Sequence, residues 1–305
     1  MKRFCRRLCY GPLKMCIFVC MKNRIWFALL PAVIFLFSAC DEEPPPIRFV
    51  EKPLMDTAYM STPPSPQLKV VWLADITGVK CTNCPEAAEI AGGLYKDYPG
   101  RVELVALYPT FFPQLTSPWS GYDTLTNTLA NEIIGGEPEG IPRGMVDNVV
   151  YNGNRFVDRF SWPLLVQQQL ALSTPINLEV KAKWLAADNR GRVEYKATAN
   201  KAYTRPVLVV GGILEDDIIG KQSDRRVGSG YIPNYQFKHV LRGVIGSTRD
   251  DTLASSFPSA GFTIEKHYFM KKSDKWKVEN LSCLIWILDA ETREVLQCKS
   301  AKFSL

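Results

Sequence analysis

An α/β domain followed by an all-β sandwich is the architecture that this 305-residue sequence predicts, and a change of pattern near Pro175 predicts it. Between Leu68 and Leu172, apolar strand-like runs alternate with helical segments, the layout of a mixed sheet with helices packed on it. After Ser173-Thr174-Pro175, apolar residues recur at every second position and long helical periods are missing. Leu68 to Ala74 suits a buried strand, and Pro85 to Tyr95 gathers Ala87, Ala88, Ile90, Ala91 and Leu94 on one helical face. Val102 to Tyr108 reads as a strand, 111–121 as a Pro-, Ser- and Gly-rich loop, and Thr124 to Ile134 as a helix. Strands at 144–150 and 155–157 flank Asn152-Gly153, two residues that tolerate positive φ and so favour a hairpin turn. Trp162 to Leu172 closes the first domain as a helix, with Pro163 in a first turn that needs no N–H there. In the second domain, Ile176 to Trp184 and Val193 to Ala199 alternate around a turn at Asp188–Gly191. Further strands are expected at 206–214, 261–269, 281–288 and 294–302, a series whose default is a β-sandwich.

Ahead of both domains lies a leader. Ile25 to Phe37 is apolar behind basic Lys22 and Arg24. It is shorter than the about 20 residues of a membrane span and has the length of a signal-peptide core. It ends in Leu36-Phe37-Ser38-Ala39-Cys40, which resembles the lipobox of bacterial lipoproteins. That resemblance implies a lipid on Cys40, the new N-terminus; a membrane anchor with unmodified Cys40 is the alternative. Met21-Lys22-Asn23-Arg24 would itself begin an ordinary signal peptide, so translation starts either there or at Met1. Residues 41–67, with Asp41-Glu42-Glu43 and seven prolines, read as an extended tether, leaving 68–174 and 175–305 as the two domains. Seven of the 37 basic residues fall in the leader, which has no acid, so 30 basic residues face 31 acidic ones in the mature chain. The formal charge of +6 therefore carries no nucleic-acid footprint, and no nucleic-acid partner is expected.

Beyond Cys40, four cysteines remain in the mature chain: Cys81, Cys84, Cys283 and Cys298. In an oxidising compartment they suggest two bridges, for which the pattern favours Cys81–Cys84 and Cys283–Cys298. Cys81-Thr82-Asn83-Cys84 falls where a strand hands over to a helix. Unpaired N–H groups and the helix dipole at a first turn stabilise a thiolate, and Lys80 adds positive charge. Cys81 is thus the expected attacking thiol, with a depressed pKa, and Cys84 the resolving one.

This arrangement resembles the thioredoxin fold. On that resemblance Asp75, six residues before Cys81, matches the buried acid that helps move a proton from the second cysteine. Pro142 of Ile141-Pro142 matches the cis-proline that faces the pair and docks an extended substrate peptide. Thr82-Asn83 replaces the Gly-Pro of thioredoxin itself and leaves the redox potential open. The mature chain as a whole is similar to the outer membrane protein 28 lipoproteins of Bacteroidetes. The residues carrying that similarity are "DITGVKCTNCPEA" from Asp75, "GIPRG" from Gly140, "HVLR" from His239 and "DAETREVLQ" from Asp289. The family implies a thioredoxin-like domain followed by an immunoglobulin-like one, lipid-anchored at the outer membrane, and brings no settled activity. The acidic run after Cys40 is similar to a surface-export signal of such lipoproteins; a plain solvated tether is the alternative.

No metal or cofactor is implied, because a zinc site needs about four ligands and the mature chain offers only His239 and His267 beside one Cys-x-x-Cys. The two histidines read as packing or hydrogen-bonding residues, and no Gly-x-Ser-x-Gly suggests a hydrolase. Around an even-length loop centred on Ala290-Glu291, opposed residue numbers sum to 581, as those of Cys283 and Cys298 do. A structural disulfide across that hairpin is expected; a loop one residue different would leave two buried thiols on opposite faces. Two functions follow. One is thiol–disulfide exchange on exported or surface proteins, with Cys81, Cys84, Pro142, Asp75 and Lys80 as the working residues. The other is a surface binding or adhesion protein whose Cys81–Cys84 bridge is only structural, with the sandwich and the loop bearing Phe111, Phe112, Trp119 and Tyr122 contacting a ligand.

Overall fold

The computed structural model describes residues 55–249 and 251–305, together with the backbone of 6–10 and 15–19. The latter pair as antiparallel strands β1 (Arg6–Tyr10) and β2 (Met15–Val19), inside a unit of residues 1–52 that is separate from the unit 53–305. The leader's apolar core, Met21, Cys40 and the acidic run lie outside the described residues.

The second unit runs β3 (Thr57–Met60), β4 (Val71–Ile76), α1 (Cys84–Asp97), β5 (Val102–Leu107), a short α2 (Pro113–Thr116), α3 (Thr128–Ile134), β6 (Arg143–Val146) and α4 (Trp162–Leu170). Ten strands complete it: β7 (Ile176–Leu185), β8 (Arg190–Ala199), β9 (Val207–Glu215), β10 (Ile218–Ser223), β11 (Tyr231–Phe237), β12 (Val240–Ile245), β13 (Thr252–Ala254), β14 (Phe262–Lys271), β15 (Leu281–Asp289) and β16 (Val295–Lys302). The chain is mostly β.

β4 and β5 are buried along their whole length and pair in parallel, from Val71 beside Val102 to Ile76 beside Leu107. Parallel strands covered on both faces read as apolar runs, and "VWLADI" is one broken only by Asp75. Val71 and Leu73 pack toward Ala87, Ala91 and Leu94 of α1 and Trp162, Leu165 and Val166 of α4. Trp72, Ala74 and Ile76 face the other way, with Ala130 and Ile134 of α3. α4 lies so close to β6 that a Cβ on Gly144 would fall 2.5 Å from the Trp162 indole.

One large sheet continues through both halves of the sequence, in the order β16-β15-β9-β12-β5-β4-β6, with β13 beside β9. β12 makes the join: Val240 pairs in parallel with Ala106 of β5, while the strand runs antiparallel to β9. A second sheet, β3-β14-β8-β7, packs its apolar face on the first through Ile176, Leu178, Val193 and Ile264 against Val209, Ile213 and Ile285. The proline-rich segment is not a free tether throughout, because β3 pairs Met60 with Phe262 and Thr57 with Glu265. The turn at Asn152-Gly153 has the positive φ values expected of it, 50° and 80°. A Tyr151–Asn154 bridge closes that turn, but the strand before it pairs with β4, and the hairpin is otherwise reduced to a Gly144–Val157 bridge.

The expected Cys283–Cys298 disulfide is corrected: both are free, buried thiols. Cys283 lies opposite Ala301, and Cys298 opposite Trp286. The Asp289 carboxylate binds the N–H groups of Glu291 and Thr292, Arg293 is left-handed at φ 66°, and the ladder slips between Ile287 and Leu288. The changed parity turns Cys283 into the core between the sheets and Cys298 into the core under α3. Alkylation in denaturant without reductant is expected to label Cys283 and Cys298 but neither Cys81 nor Cys84, read by peptide mass mapping.

Candidate functional site

Cys81 and Cys84 form a disulfide in the loop from β4 to α1. α1 starts at Cys84, so Cys81 is not in the helix's first turn as expected: it lies two residues before the N-cap Asn83, in a turn closed by Cys84 N–H to Cys81 O (3.4 Å). The N-cap side chain makes no capping bond, and Pro85 stands in the first turn, where it leaves no backbone donor unmade. Ile141–Pro142 is cis and leads into β6, whose Arg143 pairs with Ile76 at the end of β4. A Cβ on Gly78 would come within 2.9 Å of Ile141 Cδ1 and 2.7 Å of Leu115 O, so the loop carrying the cysteines and the cis-proline leave the same end of the sheet in contact. Asp75 sits one pleat below, 3 % exposed, with its Oδ1 unpartnered among the described residues. Burial pushes its carboxyl up to about 8. Lys80 turns aside: its Nζ lies 5.3 Å from the centre of the Trp119 ring. Trp119 itself donates to Val79 O (3.4 Å), so the aromatic loop packs on its own site.

Cys81 is only 3 % exposed. Its cover is the β10–β11 hairpin, two strands that pair only with each other. The buried Gln222 amide donates to Gly78 O (3.2 Å) and Cys81 O (3.0 Å), Ser223 N–H to Val79 O (2.9 Å) and Arg225 N–H to Thr82 O (3.2 Å). Beyond the hairpin strand, Arg226 grips Glu89 of α1 through two 2.7 Å bonds, and Arg225 lies 3.4 Å from Glu86. Cys84 faces elsewhere. With Asp75 it lines a cavity of about 510 Å³ between α1, β5 and the hairpin, walled by Tyr95, Tyr108 and Tyr235. Burial, with the nearby Asp75 carboxyl, pushes the Tyr235 phenol up to about 12 and raises that of Tyr108 well above its ordinary value. The His239 ring lies tilted against Tyr95 (4.8 Å between centres), its backbone N–H donates to Asp216 (2.7 Å), and burial lowers its imidazole pKa.

Of the residues singled out in the sequence, Asp75, Cys81, Cys84 and Pro142 therefore meet at one sheet end. Cys283 and Cys298 lie in the cores, and Cys40 is outside the described residues. Gln222, Arg225, Arg226 and Tyr235 were not anticipated. The turn-rich "DRRVGSG" from Asp224, between Ile218–Ser223 and Tyr231–Phe237, is the signal that would have pointed to a hairpin there.

The sequence profile described as outer membrane protein Omp28 matches residues 137–304. No curated protein matches the sequence significantly. Among solved structures, HBP35 of Porphyromonas gingivalis is similar with a TM-score of 0.58 at 12% identity, covering 77% of this chain and 75% of its own. A protein of Agrobacterium tumefaciens gives 0.49 at 13%, covering 78% and 98%. A domain of the outer membrane lipoprotein Omp28 from P. gingivalis gives 0.30 at 16%, covering 43% and 89%.

Two outcomes follow. The raised Asp75 carboxyl keeps its proton in the folded chain where the unfolded chain has lost it, so stability falls as pH rises from about 4 to about 8. Asp75→Asn is expected to flatten that slope and to exceed the parent above pH 8 by an amount on the order of a few kcal/mol in urea titrations. Gln222→Ala strips donors from the Gly78 and Cys81 carbonyls, and should raise the alkylation rate of Cys81 in the reduced protein at least about tenfold.

Proposed function

The chain belongs to the outer membrane protein Omp28 family, and from that premise we propose that its Cys81–Cys84 pair exchanges disulfides with exported proteins. One observation carries the reading: a disulfide at a strand-to-helix loop whose Gly78 packs on the residue before a cis-proline, with a buried, protonated acid on the strand beneath. That set is thioredoxin-like in layout, with β4-α1-β5 as its parallel unit and the sandwich beyond Pro175 as an immunoglobulin-like partner domain. A substrate thiolate attacks Cys81, the Cys81–Cys84 bond breaks, and Cys84 leaves with the electron pair and takes a proton that Asp75 holds. A second substrate thiolate attacks the mixed disulfide, leaving the substrate oxidised and two thiols here. Pro142 aligns the substrate backbone, and a lipid on Cys40 holds the chain at the outer membrane, where its clients pass.

A second reading, a binding lipoprotein whose bridge only braces the loop, is favoured by the cover over Cys81. The two separate in one experiment. Cys84→Ser expressed in the native host is expected to accumulate mixed disulfides through Cys81, seen as reductant-sensitive adducts on gels and identified by mass spectrometry. Adducts absent from Cys84→Ser, with unchanged fitness when both cysteines are serine, would leave the bracing role standing.

A further inference from the structure

The hairpin lies against both cysteines, 3 % and 2 % exposed: Gln222 binds the Cys81 carbonyl, and Gln222, Tyr235 and Phe237 wall a void beside Cys84. Cys84 opens on the cavity of about 510 Å³, a size that suits a small ligand. Gly92 and Gly93 of α1 line it as well, and a Cβ on either would meet nothing within 4 Å. Asp75, fully inside the protein, brings to the same space a carboxylate oxygen with no partner among the described residues. The charges around the cavity favour an anion. Lys96, Lys238 and Lys302 line it, and Lys96 and Lys302 have no ion-pair partner among the described residues. Its other two acids are engaged, Glu89 by Arg226 and Asp216 by the His239 backbone N–H.

We propose that this cavity admits a low-molecular-weight thiol bearing carboxylate groups, which exchanges with the disulfide at Cys84. The inference deepens the exchange reading above, naming a small-molecule side for the same pair. The entering thiol reacts as its thiolate, its proton lost to water, and its sulfur bonds to Cys84 Sγ. The Cys81–Cys84 bond breaks, and Cys81 leaves with the electron pair and takes the proton that Asp75 holds. A second thiol attacks the mixed disulfide, so that two small thiols become one small disulfide and the protein gains two thiols. A carboxyl held at about 8 lies close to the pKa of about 8.5 of an ordinary thiol, so the proton moves with little cost. The lysines hold the carboxylates at the mouth.

The test uses the purified full chain and oxidised glutathione, with cystamine as a cationic disulfide of similar reactivity. Cys81→Ser, which leaves Cys84, is expected to form the glutathione adduct at least about tenfold faster than Cys84→Ser, and faster than it reacts with cystamine. Adding Gly93→Phe, which fills open space, should slow that adduct about tenfold or more. Gly92→Leu serves instead if near-ultraviolet circular dichroism shows the phenylalanine variant unfolded. A faster Cys84→Ser, or a plugged cavity with an unchanged rate, overturns the proposal. Fast adduct formation at Cys84 without protein adducts in the host would sink the protein-exchange reading and keep this one. Protein adducts with an inert Cys84 would do the reverse.

Discussion

A buried ion pair sets the frame on which everything else in the second unit depends. Lys69 Nζ lies 2.8 Å from Asp147 Oδ2, with both side chains almost wholly inside the protein. Two charges so placed lose several kcal/mol of hydration each unless every donor and acceptor is used. Most are used here: Nζ also donates to Val70 O (3.1 Å) and Val295 O (3.0 Å), and Asp147 Oδ1 accepts the Trp72 N–H (2.8 Å). Oδ2 faces Nζ without a hydrogen bond of good geometry, and burial raises the pKa of the Asp147 carboxyl. Gln297 accepts from Val70 N (2.8 Å), and Val295 N–H binds Asp147 O (2.9 Å). The start of β4, the end of β6 and β16 are thereby tied at one point. Because side chains alternate along a strand, this anchor also decides which way Asp75 points six residues on; a slip of one would turn it away from α1.

With β4 fixed, three distant segments close around its far end. The loop 111–122 supplies Leu115 O to the Lys80 N–H (2.8 Å) and a wall of aromatics. The β10–β11 hairpin arrives from the other half of the sequence and roofs Cys81, with Lys221 Nζ 4.2 Å from the centre of the Trp119 ring. β12 then returns beside β5, and its parallel contact at Val240 holds the hairpin's base against the site. Cover on the Cys81 side and a cavity on the Cys84 side are two results of the same closure.

What the sequence made legible was whatever a local rule controls. The all-buried β4 and β5, α1 with its alanine face, α4 and the alternating β7, β8, β14, β15 and β16 lie within a few residues of their expected places, because each buries a face that its period advertises. Cys81 and Cys84 were legible from their own spacing at a strand-to-helix loop, whereas Asp75 and Pro142 were legible only through the resemblance to the thioredoxin fold. β3, itself without proline, was hidden by the prolines on either side of it. β10 and β11 were hidden because Ile218–Ser223 and Tyr231–Phe237 mix buried and exposed positions without period, and Pro233 falls inside the second. The cysteine pairing failed on one residue of loop geometry. An Asp289 side chain that binds two N–H groups at the turn cannot be counted from a hydrophobic pattern, yet it changes the parity of the whole ladder.

The cavity is where the chain departs from rules that it keeps elsewhere. Gly92 and Gly93 lie together inside α1, each costing about 1 kcal/mol relative to alanine in a helix interior. Asp75 is buried with an orphaned oxygen, and His239 adopts φ 53°, a left-handed conformation unusual for a side chain of its size. Each departure opposes stability, and all of them line one space beside Cys84. Alanine at 92 and 93 and asparagine at 75 would be the choices of a protein selected only to stand. Concentrated breaks of this kind mark sites kept for chemistry. That argument favours an exchanging disulfide over a brace, because a brace would need neither the void nor the acid.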